Sequence, residues 1–82
     1  MTMNDIRYAR ESFFRSVTDY IDGINDIGLS QGIYPSTVRE KAKYYQGKAQ
    51  AYLDCNIITP CEFNEYNTSL QHLYEEYAGR ND

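Results

Sequence analysis

The sequence predicts an all-α protein, a small bundle of three amphipathic helices, on three observations. Apolar residues recur at alternating steps of three and four in three separate stretches, which is the period of one helical face. Gly28, Gly32 and Pro35 separate the first two stretches, and Pro60 opens the third. The segment Ile57-Ile58-Thr59-Pro60-Cys61-Glu62-Phe63 also carries the full signature of a helix start, so a helical hairpin turns there. No strand pattern is visible, and the 82 residues make a single domain.

The first helix is expected over about 4–27. Ile6, Arg10, Phe13, Val17, Tyr20, Ile24 and Ile27 form its seam, and Phe14 and Ile21 widen that seam into the stripe of a globular bundle. Arg10 alone interrupts it. Its stem can pack at the open end of the core while the guanidinium reaches water, or it can anchor an interface. Gly23 or Gly28 could supply the left-handed closing residue, and Gly28 is favoured because the apolar spacing runs on through Ile27. Asp19, Asp22 and Asp26 read as a solvated outer face and lack the alternation of a calcium loop.

Leu29 to Pro35 reads as a loop, because Gly32 and the proline disfavour helix. Ser36 or Thr37 is then expected to cap a second helix over about 37–55. Val38, Ala42, Tyr45, Ala49 and Tyr52 form its seam, with Leu53 beside them. Gly47 lies off that seam and is expected to mark a bend or the close approach of another backbone.

A third helix is expected over about 60–78. Thr59 caps it, Pro60 takes the first helical position, and Glu62 completes a capping box. Ile58 and Phe63 have the spacing of a hydrophobic staple. Phe63, Tyr66, Leu70, Leu73 and Tyr77 make the inner stripe, and Gly79 is the natural stop.

Composition excludes several classes of function. A net charge of −4 argues against a grip on phosphate backbone, so no direct nucleic-acid binding is expected. The charged first twenty residues fit neither a signal peptide nor a membrane span, and a cytoplasmic location with reduced Cys55 and Cys61 is the expectation. One histidine and two cysteines supply too few ligands for a structural zinc site, so neither metal nor cofactor is expected. Ser69, His72, Glu75 and Glu76 can be drawn as a Ser-His-Glu arrangement. A single helix encloses no site and offers no oxyanion donors, so the chain is read as non-enzymatic.

Charge is partitioned along the chain. Residues 31–58 hold four basic and two acidic side chains, net +2, whereas residues 59–82 hold one and five, net −4. The basic second helix (Arg39, Lys41, Lys43, Lys48) and the acidic third (Glu62, Glu65, Glu75, Glu76) are therefore expected to pair across the hairpin. A DNA-reading helix-turn-helix is disfavoured, because the helix after the short turn is the acidic one.

Nine tyrosines exceed what a three-helix core needs, and Tyr8, Tyr44 and Tyr74 lie off or at the margin of the seams. Tyrosine offers rigid contact area with a polar tip, which interfaces enrich. The candidate protein-binding residues are Tyr8, Arg10, Phe14, Ile21, Tyr44, Tyr74, Glu75 and Glu76. A small chain buries little surface, so a homodimer is expected.

With its Tyr-rich seams and the Thr59-Pro60-Cys61-Glu62-Phe63 hairpin, this short acidic three-helix chain resembles the small helical antirepressors and host-factor inhibitors of temperate bacteriophages. The resemblance implies a protein that sequesters a transcriptional repressor and keeps it off its operator. The alternative is a structural or regulatory helical subunit of a larger assembly.

Overall fold

Thr2 and Asp5 open the first helix by capping each other. The Asp5 N–H donates to Thr2 Oγ1 at 3.2 Å, and the Thr2 N–H returns a bond to the Asp5 carboxylate at 3.1 Å. From there α1 runs over Met3–Ile27, α2 over Pro35–Asp54 and α3 over Pro60–Tyr77. The structure, a computed structural model, describes residues 2–27 and 34–81, with Ile27 described in its backbone only. The expected closure of α1 at Gly28 and the loop through Ile33 lie outside the described residues.

α2 begins earlier than its sequence indicates. Tyr34 is the cap residue, in an extended conformation, and Pro35 takes the first helical position. Ser36 and Thr37 therefore lie inside the first turn instead of capping it. The physical reason is that proline lacks the N–H that would go unsatisfied at that position, and its fixed φ already suits a helix.

The turn between α2 and α3 is built from backbone geometry at one end and side chains at the other. Asn56 adopts a left-handed φ of 60°. The Asn56 N–H bonds to the Leu53 carbonyl at 3.0 Å, and the Ile57 N–H to that of Tyr52 at 2.8 Å, the two bonds of a Schellman closure. Three residues later Thr59 Oγ1 accepts from the Glu62 N–H at 3.1 Å, and the Glu62 carboxylate accepts from the Thr59 N–H at 2.9 Å. The expected capping box is present. Ile58 is buried, and Phe63 packs against the same cluster.

α3 ends in a tight turn. Ala78 is extended, Gly79 has φ 79°, and the Arg80 N–H reaches back to the Tyr77 carbonyl at 3.4 Å. That is the arrangement of a type II turn, which needs a residue tolerant of positive φ at its third position. Arg39, in the first turns of α2, donates to the carbonyls of Tyr77 at 2.7 Å and Arg80 at 2.8 Å. It thereby satisfies acceptors that a helix end leaves open, and ties the start of α2 to the end of α3.

The three helices share one apolar interior in two parts. Phe13, Val17, Ala49, Ile57, Ile58, Tyr66 and Leu70 form the larger cluster, and Ile24, Val38, Leu73 and Tyr77 the smaller. α2 and α3 pack closely as an antiparallel pair, and α1 lies against them through larger side chains at greater backbone distance. Phe13 is the centre of that contact. Its ring meets Tyr52 at 4.9 Å and Tyr66 at 5.0 Å edge-on, and tilts against Tyr45 at 6.3 Å. The body is elongated, 43 × 19 × 16 Å, as a 25-residue helix dictates. No helix among the described residues is long and apolar enough to cross a membrane.

Gly47 interrupts neither α2 nor its surroundings. A Cβ built there would meet nothing within 4 Å, so no backbone comes close, contrary to one of the two sequence-based expectations.

Candidate protein-binding groove

Because α1 is held off the hairpin by its large side chains, an open groove of about 490 Å³ runs between it and the start of α3. Arg7, Arg10, Glu11, Phe14, Arg15, Thr18 and Asp19 line it from α1, and Glu62 and Tyr66 from α3. Phe14 does not widen the buried stripe as its position predicts. It sits one step past Phe13, beyond the contact line with α3, and its side chain is 58% exposed, tilted 6.5 Å from the Tyr66 ring. Beyond that one tilted contact the ring stands open to the groove.

Arg10 settles at the groove edge. It is exposed, and its Nη2 donates to Glu62 Oε2 at 2.9 Å. A seam position at the margin of α1 thus reaches across to α3, joining the two helices by the same carboxylate that closes the capping box. Burial would push the Glu62 carboxyl up; the Thr59 N–H and hydroxyl and the Arg10 guanidinium outweigh it and hold the carboxyl below its ordinary value. Burial raises the Tyr66 hydroxyl, and Glu62 nearby adds to that.

The other predicted interaction residues scatter. Tyr8 stands out from α1, 74% exposed, outside the groove lining. Ile21 is half-buried and packs against both core clusters, so it belongs to the interior more than to the surface. Tyr44 is exposed on α2, edge-on to Tyr45. Tyr74 is half-buried beneath Lys43, whose Nζ lies 4.3 Å from the ring centre. Glu75 and Glu76 are exposed near the far end of α3, with Glu75 accepting from Gln71 at 3.2 Å. Only Arg10 and Phe14 of this set meet in the groove.

The expected pairing of basic α2 with acidic α3 does not form: among the described residues no ion pair joins the two helices. At mid-helix their contact is made by amides, Gln46 donating to Asn67 at 3.2 Å and to Gln71 at 3.1 Å. The lysines instead lie over rings, Lys48 within 6.0 Å of Phe13, Tyr44 and Tyr52, and Lys41 within 5.6 Å of Tyr44 and Tyr45. Cations favour the electron-rich faces of aromatic rings.

His72, Ser69, Glu75 and Glu76 all lie exposed along α3, and His72 lines neither surface depression. Among the described residues no group of three His, Cys, Asp or Glu side chains could hold a metal ion, and Cys55 and Cys61 are free and exposed. Sequence reasoning missed the groove itself and seven of its nine lining residues, all but Arg10 and Phe14; for Arg7, Glu11, Arg15 and Asp19 the regular spacing by four was the available signal. No family model matches the chain, and neither a curated protein nor a solved structure matches it.

Proposed function

We propose that this chain is a non-enzymatic regulator that acts by binding another protein, in the manner of an antirepressor that holds a DNA-binding repressor off its operator. The observation that carries the reading is Phe14, an aromatic side chain more than half exposed in an open groove whose rims hold charges of both signs. Interfaces take that form, an apolar anchor ringed by polar groups, whereas a small-molecule site encloses its ligand. Glu65, Glu75 and Glu76 on α3 form no ion pair within the described residues, so they remain available to steer a basic target into contact. The acidic balance of the chain, −4, agrees with a target that itself binds DNA.

The test is an operator-release titration, with a repressor from the same genome bound to labelled operator DNA. The expected result is release by the wild-type chain, slower association as salt rises, and release retained when Tyr44, remote from the groove, is replaced by alanine. Operator occupancy unchanged at a large excess of the chain would overturn the antirepressor reading.

A further inference from the structure

Arg7, Glu11, Arg15 and Asp19 are spaced by four along α1, so they form one ridge of the helix surface, and their charges alternate: plus, minus, plus, minus. All four are exposed, and Arg7 and Glu11, 3.5 Å apart, keep 78% and 65% of their side-chain surface in solvent. Reversed end for end, an alternating row of four becomes its own complement. Laid antiparallel on a second copy, Arg7 opposes Asp19 and Glu11 opposes Arg15, each twice by symmetry. Laid parallel in register, like charge meets like. A parallel pair staggered by one step also opposes unlike charges, but that arrangement is not closed and propagates into a chain of copies. Ridges of residues four apart are also the features through which two helices most commonly cross.

We infer that the α1 face bearing this row is the interface of an antiparallel, two-fold symmetric homodimer, with Phe14 as its apolar contact beside the axis. The inference rests on reading the α1 groove as a protein-binding surface, and it names a second copy of the chain as the occupant of its α1 bank. Residue 13 lies midway between positions 7 and 19, so the two-fold axis passes at its level, and the two Phe14 rings, one residue along and roughly a quarter-turn around α1 from the charged row, flank that axis on the same side of the contact. Those rings are exposed apolar surface that a monomer leaves uncovered on this face of α1. The Arg10–Glu62 pair flanks this face and stays within its own chain. In the dimer Phe14 is covered by the second copy, so what each subunit keeps to meet a target is the exposed acidic surface of α3, Glu65, Glu75 and Glu76.

The alternation also supports the helix internally, as the Arg7–Glu11 pair shows, and charge reversal separates the two roles. Glu11→Arg alone sets two cations against each other across the axis, and Arg15→Glu alone sets two anions. A 1:1 mixture of these two variants restores both cross-pairs between unlike chains, which no intrachain role can reproduce. The double variant Glu11→Arg/Arg15→Glu on one chain restores the cross-pairs too, although it places like charges four apart within α1 and so weakens the helix itself.

Light scattering coupled to size exclusion, from about 1 μM to 1 mM, reads the outcome, with circular dichroism confirming helix in each variant. The expected result is twice the 9.6 kDa chain mass for the wild type. Each single variant should dissociate with a Kd raised about tenfold or more, and the mixture and the double variant should regain the dimer mass. A wild type that stays monomeric at 1 mM, or forms open-ended oligomers, overturns the inference. So do single variants with undiminished dimer, or a mixture that fails to pair. A dimer without operator release sinks the regulatory reading and leaves this one standing; release by a monomer does the reverse.

Discussion

Replacing Phe13 should show how α1 is held to the hairpin. The side chain is 2% exposed, and its ring makes two edge-on contacts, with Tyr52 at 4.9 Å and Tyr66 at 5.0 Å. Each such pair contributes about 0.5–1.5 kcal/mol beyond simple burial, so Phe13→Leu, which keeps an apolar side chain, should cost about 1–3 kcal/mol. Phe13→Ala adds a cavity that the neighbouring helices cannot fill, and should cost about 3–5 kcal/mol. A chain of this length has roughly 4–12 kcal/mol of total stability, so the alanine variant would be marginal. At about 4–8 °C per kcal/mol, a central loss of about 2 kcal/mol in the leucine variant lowers Tm by roughly 8–16 °C. Urea unfolding followed by far-UV circular dichroism, at one fixed protein concentration, measures both variants. If α1 separates before the hairpin unfolds, the alanine variant should also show a reduced dependence on urea, because less surface is exposed in the remaining transition. A leucine variant within about 0.5 kcal/mol of wild type, or an alanine variant no worse than it, would refute the ring cluster as the anchor.

Gly23 and Gly47 both lie in helices with open space where a Cβ would go, so Gly23→Ala and Gly47→Ala should each raise stability by about 0.5–1 kcal/mol in thermal melts. Gly79→Ala should lower it, by about 1 kcal/mol, because φ 79° is strained for a residue with an ordinary Cβ. Thr59→Ala removes one half of the capping box and should cost about 1 kcal/mol in urea titration. Glu62 carries a pH signature. Its folded carboxyl titrates below the ordinary value of about 4.3, so its stabilisation is fully present above that value and is lost as pH falls through the folded one. The urea-midpoint difference between wild type and Glu62→Gln should therefore be largest near neutrality and shrink towards pH 3; a constant difference across that range would show that the carboxylate charge contributes nothing.

The hairpin was legible residue by residue, because its determinants are local. Thr59, Pro60 and Glu62 act within one turn of each other, and the Ile58–Phe63 staple needs only the neighbouring turn. The three seams were legible for the same reason, since a period of three and four fixes which face is apolar whatever lies opposite. At α2 two hydroxyl residues, Ser36 and Thr37, match the cap pattern, but Pro35, whose fixed φ suits the first helical position, decides the start. Asn56 closes α2 through a left-handed conformation that glycine is the more familiar residue to supply.

Which side chain meets which across helices depends on their separation and rotation, and no local spacing encodes that. Periodicity assigned Phe14 and Ile21 alike to the widened stripe; packing half-buries Ile21 against both clusters and leaves Phe14 in the groove. Arg39 is one of the four basic residues of the second helix, yet only the antiparallel return of α3 brings backbone carbonyls within its reach. The lysines that composition assigns to carboxylates lie over aromatic rings, an arrangement only the packing of the helices produces. Sequence by itself determined three helices, their apolar faces and the turn between the last two, since each follows from contacts within a few residues. Tertiary structure alone decided where the groove opens and that Phe14 stands in it, because that depends on how far the bulky side chains of α1 hold it from its neighbours.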